Sequence, residues 1–437
     1  MASFARLAGR AVAGAGVLAL SPVLGLAALA GTAMVGAEPT AFAVTGLAVF
    51  ASVFFLGLLL CVPRPRAAWG RWLRAVVILG VAAAVVWPVS VATLRPLRPP
   101  APPAPVAGQR EWRLPTGSAL AYVRFAPKRV TRPDPVVFLH GGPGVADLAA
   151  SAAFYRKLTA DGYQVYVYDQ LGAGRSARLR DPGEYGLTRD VEDLEAIRQT
   201  VGAGRLILVA HDYGAQLATA YLAAHPDRVA KAVLAAPTGL PPGRKADREV
   251  EPAAVFGRDG SPDPRLLAVS TLLRVDPRAA HDFAGDQELD AYLGLVRQGA
   301  PHPCPATAAS TAASGTATGG YVGLTGRTAP GSLPLSLSEV TVPVLIVKSR
   351  CDEQGWTSAM DYRRALPSAT LAYLGDDPAE DDAPKDDAPK NGSGEDGADG
   401  DAYASEAYLG LLRAFLAGRP VRAYEGERPP SGYRGPG

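Results

Sequence analysis

An apolar run, Leu206-Ile207-Leu208-Val209, leads into Ala210-His211-Asp212-Tyr213-Gly214-Ala215 and then into a helix-forming stretch. A sharp turn from a buried strand into a helix pushes one polar side chain out above the sheet. Here that side chain is the carboxylate of Asp212. A carboxylate attacks an epoxide or alkyl halide carbon without a base, because it is already ionised near neutral pH. The ester it forms must then be hydrolysed, and that water step draws on a general base worth roughly 10²–10⁴-fold. The histidines are His140, His211, His225, His281 and His302, and none follows residue 302. Asp is also a favoured helix N-cap, so a structural role at the start of the helix is the alternative.

Elements able to hold such a group start at Arg110. Apolar strands are expected at Ser118–Phe125, Val136–His140, Gln164–Asp169, Leu206–Ala210, Val229–Ala236, Val342–Lys348 and Thr370–Leu374. Runs such as Val136-Val137-Phe138-Leu139 are apolar on both faces, as parallel strands covered by helices must be. The fold class is therefore α/β, a mostly parallel sheet flanked by helices. Between residues 238 and 341 the strand–helix rhythm stops. Helical pieces (Pro264–Val275, Gln287–Gln298) and a Ser/Thr/Gly/Ala tract (Ala306–Gly320) read as a cap inserted over one end of the sheet. The core then divides into 110–237 and 342–419. The acidic loop 375–402 repeats Asp-Asp-Ala-Pro-Lys and cannot bury apolar surface, which predicts disorder. Tyr403–Leu416 reads as a last covering helix, with a Pro/Gly-rich tail over 420–437.

Ahead of this core stand three charge-free spans, Ala11–Ala37, Pro39–Pro63 and Ala75–Leu94. Each reaches the roughly 20 apolar residues needed to cross a bilayer core. Residues 1–95 thus read as a membrane region with three transmembrane helices, and a lipid bilayer contacts 11–94. Arg6, Arg10, Arg64, Arg66, Arg71 and Arg74 place the start and the second loop in the cytoplasm. Everything after Leu94 is then extracytoplasmic, carried on a stalk over 96–109 that contains six prolines. Arg95 and Arg98 sit on the wrong side for this topology.

The net charge of +2 conceals a sum of +7 over residues 1–100 and −9 over 376–401. No global basic face suggests nucleic acid, and no metal-ligand spacing or cofactor motif stands out. Gly172-x-Gly174-x-x-Ala177 lacks the following helix of a dinucleotide fingerprint. Asp190, Glu192, Asp193 and Glu195 read as a solvated helical face. Of the three cysteines, Cys61 lies in an apolar span, so only Cys304 and Cys351 can pair, and only in an oxidising compartment.

Three segments then line up in order: His140-Gly141-Gly142-Pro143-Gly144, Asp169-Gln170-Leu171-Gly172-Ala173-Gly174-Arg175-Ser176, and the turn at Asp212. Together they resemble the α/β-hydrolase superfamily over Arg110 to about Arg419. The first two are similar to the proline iminopeptidase branch, with Leu171 in place of its Arg. The third resembles the nucleophile elbow of epoxide hydrolases and haloalkane dehalogenases, with Ala210 for Gly and Tyr213 for Trp. No Gly-x-Ser-x-Gly competes with it. The resemblance implies Asp212 as nucleophile and the backbone N–H groups of Gly142 and Tyr213 as oxyanion donors. It also implies Asp352, after the strand Val342–Lys348, as the acid that orients a histidine, although Arg350 makes an ordinary ion pair the alternative. The family histidine should closely follow Thr370–Leu374, where this chain has Gly375-Asp376-Asp377-Pro378.

These residues support a membrane-anchored hydrolase of small or medium apolar substrates that lacks its catalytic histidine. The alternative is a catalytically inactive homologue that binds a ligand or partner in the same pocket. A third reading is a membrane scaffold whose acidic loop attracts basic partners.

Overall fold

The computed structural model describes residues 2–98, 105–240, 263–299, 318–325, 337–375 and 402–436. The apolar runs fold as β1 (Arg110–Arg113), β2 (Ala119–Phe125), β3 (Val136–Leu139), β4 (Val165–Tyr168), β5 (Leu206–His211), β6 (Val229–Ala235), β7 (Val344–Ser349) and β8 (Ala369–Leu374). They make one sheet in the order β1-β2-β4-β3-β5-β6-β7-β8. β2 is antiparallel to β1 and β4, and the remaining neighbours are parallel. Every residue of β3, β4 and β7 is buried, which explains why these runs are apolar on both faces. β1 was not foreseen. Its Arg-Glu-Trp-Arg sequence buries only Trp112, which stacks on Tyr122 of β2 at 3.7 Å.

Contacts divide the chain into two compact units, Met1–Pro99 with Arg180–Gly183 and Val250–Tyr292, and the remainder. In the first lie α1 (Ala2–Met34), α2 (Pro39–Cys61) and α3 (Ala68–Leu94), each long and apolar enough to cross a membrane. Glycines let α1 and α2 approach closely: a Cβ on Gly25 would stand 3.0 Å from the Gly46 carbonyl oxygen, and one on Gly46 3.0 Å from that of Gly25. α3 starts earlier than the charge-free span because Arg74 is used within the fold. Its guanidinium donates to the carbonyls of Leu59 (2.8 Å) and Val62 (3.0 Å) at the end of α2.

In the second unit α4 (Leu148–Tyr155), α5 (Leu187–Thr200) and α6 (Tyr213–Ala224) flank the sheet. The acidic residues of α5 do not form a solvated face. Asp190 and Asp193 are buried, Asp190 accepting the Tyr213 hydroxyl at 2.7 Å and Asp193 that of Thr116. Glu195 pairs with Arg198 and Tyr221, leaving Glu192 exposed. Partners from distant segments supply the hydrogen bonds that burial of these carboxylates demands.

Within the insertion, α7 (Pro264–Val275) and α8 (Pro277–Phe283) pack Ala268, Leu272 and Ala280 against Leu29, Ala33, Phe42 and Ala43 of α1 and α2. α9 (Asp286–Gly299) and α10 (Gly320–Thr325) follow, then α11 (Trp356–Ala365) and α12 (Glu406–Leu416) after β7 and β8. The acidic stretch 376–401, His302 and Cys304 lie outside the described residues. Past α12 the chain stays on the core. Tyr424 N donates to Leu371 O at 2.6 Å, Arg434 N to Arg350 O at 2.9 Å, and Trp356 N to Pro436 O at 2.9 Å.

Candidate active site

β5 ends at His211 and α6 begins at Tyr213, so Asp212 alone makes the turn. It does so with φ +53° and ψ −116°, a conformation that costs a residue with a Cβ about 1–3 kcal/mol. The turn is tight because Gly214 lies on β3: a Cβ there would come 2.2 Å from the Leu139 carbonyl oxygen. Asp212 occupies the N-cap position of α6, yet its side chain makes no capping hydrogen bond. Its carboxylate turns instead toward the loop after β3. Gly142 N donates to Oδ2 at 2.6 Å, and the Tyr213 N–H also favours the charged form. These are the two N–H groups that the resemblance implied as oxyanion donors. Gly141 has no room for a side chain, since a Cβ would meet the Asp212 carboxylate at 2.9 Å.

The other oxygen, Oδ1, accepts from Gln354 Nε2 at 2.9 Å. Burial pushes the Asp212 carboxyl up from its ordinary range, opposed by the charge of His211, the N–H groups of Gly142 and Tyr213, and the charge of Arg297 on α9.

Asp352 stands in the loop after β7 and is buried. Its Oδ2 accepts from Lys348 Nζ at 3.0 Å and from the Tyr403 hydroxyl at 2.7 Å, while Gln354 N donates to Oδ1 at 3.2 Å. The ion partner is therefore Lys348 rather than Arg350. Lys348 is fully buried, and its ammonium also donates to the carbonyl of Gln354 at 2.6 Å. Burial lowers the Lys348 pKa, with Asp352 opposing, and raises that of Tyr403 well above the usual phenol value. Tyr403 is thus a protonated donor at neutral pH.

Gln354 thus bonds the Asp212 carboxylate and Tyr403 that of Asp352. An amide has no basic lone pair and a protonated phenol accepts no proton, so neither side chain can act as a base. Sequence reasoning missed Gln354, Tyr403, Lys348 and Arg297. Only Gln354 carried a signal, standing two residues past Asp352.

Among the described residues, no histidine binds the Asp212 carboxylate. His140 Nε2 accepts from Gln170 N at 2.9 Å while Nδ1 lies 2.9 Å from Gly141 O, so the ring braces the loop. The His211 ring packs 4.9 Å from that of Tyr403, and His225 packs 5.0 Å from Tyr221. His281 pairs with Asp286 at 3.0 Å. Ser176 is a turn brace as well, accepting from Ala121 N at 2.9 Å and donating to the Asp169 carbonyl.

Over the loop Gly141–Gly144 lies the segment Thr318–Thr325. Gly319 touches Gly144 backbone to backbone, and Tyr321 and Val322 are buried beside it. Cys351, next to Asp352, is disulfide-bonded.

Asp169, at the end of β4, is buried, and its Oδ2 accepts from Arg175 N at 2.8 Å. Desolvation outweighs that bond and raises its pKa to about 7. The folded chain then holds a proton that the unfolded chain has lost, so this residue's contribution to stability is present below about pH 4 and is lost as pH rises through 7. Asp169→Asn should abolish that dependence. The melting temperature of the wild type relative to the variant is expected to fall from pH 5 to pH 8, by the equivalent of at most about 3 kcal/mol.

Residues 134–256 match the profile of the family described as alpha/beta hydrolase fold. The chain is 36% identical over 103 residues to a proline iminopeptidase of Heyndrickxia coagulans, covering 24% of this chain and 35% of that protein. It is 33% identical over 170 residues to the cis-3-alkyl-4-alkyloxetan-2-one decarboxylase of Shewanella oneidensis, covering 38% and 47%. The chain thus spans about a third to a half of the length of these relatives. Among solved structures, the proline iminopeptidase of Mycobacterium smegmatis aligns with TM-score 0.45 and 18% identity, over 71% of this chain and 96% of that one. Residues 134–256 thus carry the α/β-hydrolase fold, and over about a quarter of its length the chain is similar to proline iminopeptidases.

Proposed function

We propose that this is a membrane-anchored protein whose Asp212 is a carboxylate nucleophile toward small or medium apolar electrophiles, in a site with no base for water. The observation that carries the reading is the pair of hydrogen bonds on Asp212. Oδ2 rests on the Gly142 N–H, and Oδ1 is held by an amide where a base would stand. When Oδ1 displaces a leaving group from carbon, Oδ2 becomes the ester carbonyl oxygen with the Gly142 N–H already on it. Without a base, water attack on that ester loses roughly 10²–10⁴-fold. Asp352 is neutralised by Lys348 and is not free to orient a base.

One class of substrate regenerates the carboxylate without water. Attack of Oδ1 on C4 of a 2-oxetanone breaks the C4–O1 bond and leaves a carboxylate on C3. Loss of that group as CO2 sends its bonding pair into a C3=C4 double bond, and Asp212 departs as the carboxylate it was. The net change is lactone to alkene and CO2. The Shewanella relative is named for a 3,4-dialkyl oxetanone, and three apolar helices would hold this chain where such lipophilic compounds dissolve. The arginine pattern favours an extracytoplasmic globular part, and the bonded Cys351 agrees with an oxidising compartment.

The second reading, an inactive binder, is favoured by the Gln354 amide that closes off Oδ1. Intact-mass analysis of the full chain in detergent, after exposure to epoxide, haloalkane, β-lactone and ester, separates the two. A lasting adduct on Asp212, or alkene and CO2 from the lactone, supports the nucleophile. Steady hydrolysis refutes the missing base, and neither adduct nor product leaves the binder.

A further inference from the structure

The end of α3 carries two cations that membrane topology leaves unexplained. We propose that the cavity around Arg95 and Arg98 binds the phosphate head of an anionic membrane lipid, independently of any chemistry at Asp212. The cavity measures about 450 Å³ and lies entirely within the unit that contains the apolar helices. Val91 and Leu97 line it together with both arginines, Asp263 and Tyr292.

Three observations define the ligand. First, Arg95 and Arg98 are exposed and make no ion pair among the described residues. The one acid in the wall is already committed: Asp263 accepts the N–H groups of Arg265 (2.8 Å) and Leu266 (3.1 Å) and the Tyr292 hydroxyl. Two guanidiniums outnumber that single carboxylate, so the wall keeps a net positive charge that attracts a compact anion, and their planar forks suit phosphate oxygens.

Second, the cavity is preformed. Arg265 is buried in a salt bridge with Glu288 and donates to the Thr93 carbonyl at 2.7 Å, while Leu97 N donates to Glu288 at 3.3 Å. The segment after α3 is therefore fastened to α7 and α9. Third, the apolar span ends at Leu94, so Arg95 begins at headgroup level, with Val91 exposed one turn deeper for an acyl chain.

The test uses native mass spectrometry of the delipidated full chain in detergent, titrated with phosphatidylglycerol, phosphatidylcholine or inorganic phosphate. Phosphatidylglycerol should be retained over phosphatidylcholine, and Arg95→Gln/Arg98→Gln should weaken it roughly thirtyfold. Arg64→Gln/Arg66→Gln removes the same charge outside the cavity and should leave binding unchanged. Leu97→Trp fills the cavity without changing charge and should also lose the lipid, which covers a misfolded double variant. Equal loss in the two arginine pairs, retention by both cavity variants, or equal competition by free phosphate would overturn the proposal.

Discussion

Asp212→Asn is expected to abolish covalent labelling by every electrophile that labels the wild-type chain. A carboxamide keeps the shape and most of the hydrogen bonds but has no anionic oxygen to attack carbon. Asn also tolerates the positive φ of +53° at this turn, so the fold should change by no more than about 1 kcal/mol. The wild-type labelling rate should climb with pH, because only the ionised carboxylate reacts. The midpoint should lie above the ordinary aspartate range, since burial outweighs the stabilising N–H groups and the charges of His211 and Arg297. Peptide mapping that finds the label on another residue, or undiminished labelling of the variant, would remove Asp212 from the chemistry.

Lys348→Met should be the most damaging single change to stability outside the apolar core. It strips a fully buried ammonium from Asp352 and from the Gln354 carbonyl at once. Removing one partner of a buried ion pair leaves the other charge uncompensated, at a cost of about 3–5 kcal/mol. Thermal unfolding of the full chain should show the loss, and Asp352→Asn in the same background should restore a large part of it. If the single variant melts like the wild type, the pair does not hold the acid loop. The same variant should also disturb Asp212, because the loop that Lys348 holds presents Gln354 to Oδ1.

The insertion illustrates how the two levels of information divide. α7 was legible from its own sequence, because its apolar residues recur at helical spacing. What its apolar face meets was not. Ala268 and Leu272 lie against α1 and α2, more than 200 residues away in the chain. The acids of α5 mislead for a similar reason: charge at a helix surface implies solvent only when no hydroxyl from another element, such as Tyr213 or Thr116, reaches it.

By itself the sequence determined the α/β class, the apolar helices and the residue at the turn after β5. Each of these is written in a contiguous stretch, as runs apolar on both faces, spans without charge, or a strand followed at once by small residues and a helix. It also determined that no histidine follows β8. Only the tertiary structure decided what stands beside Asp212 and Asp352. Gln354 and Tyr403 reach Asp212 and Asp352 from loops 142 and 51 residues distant, and β1, polar but for Trp112, became a strand only by pairing with β2. Contacts of this kind carry no local pattern, because their energy exists only once separate segments have been brought together and water has been excluded from between them.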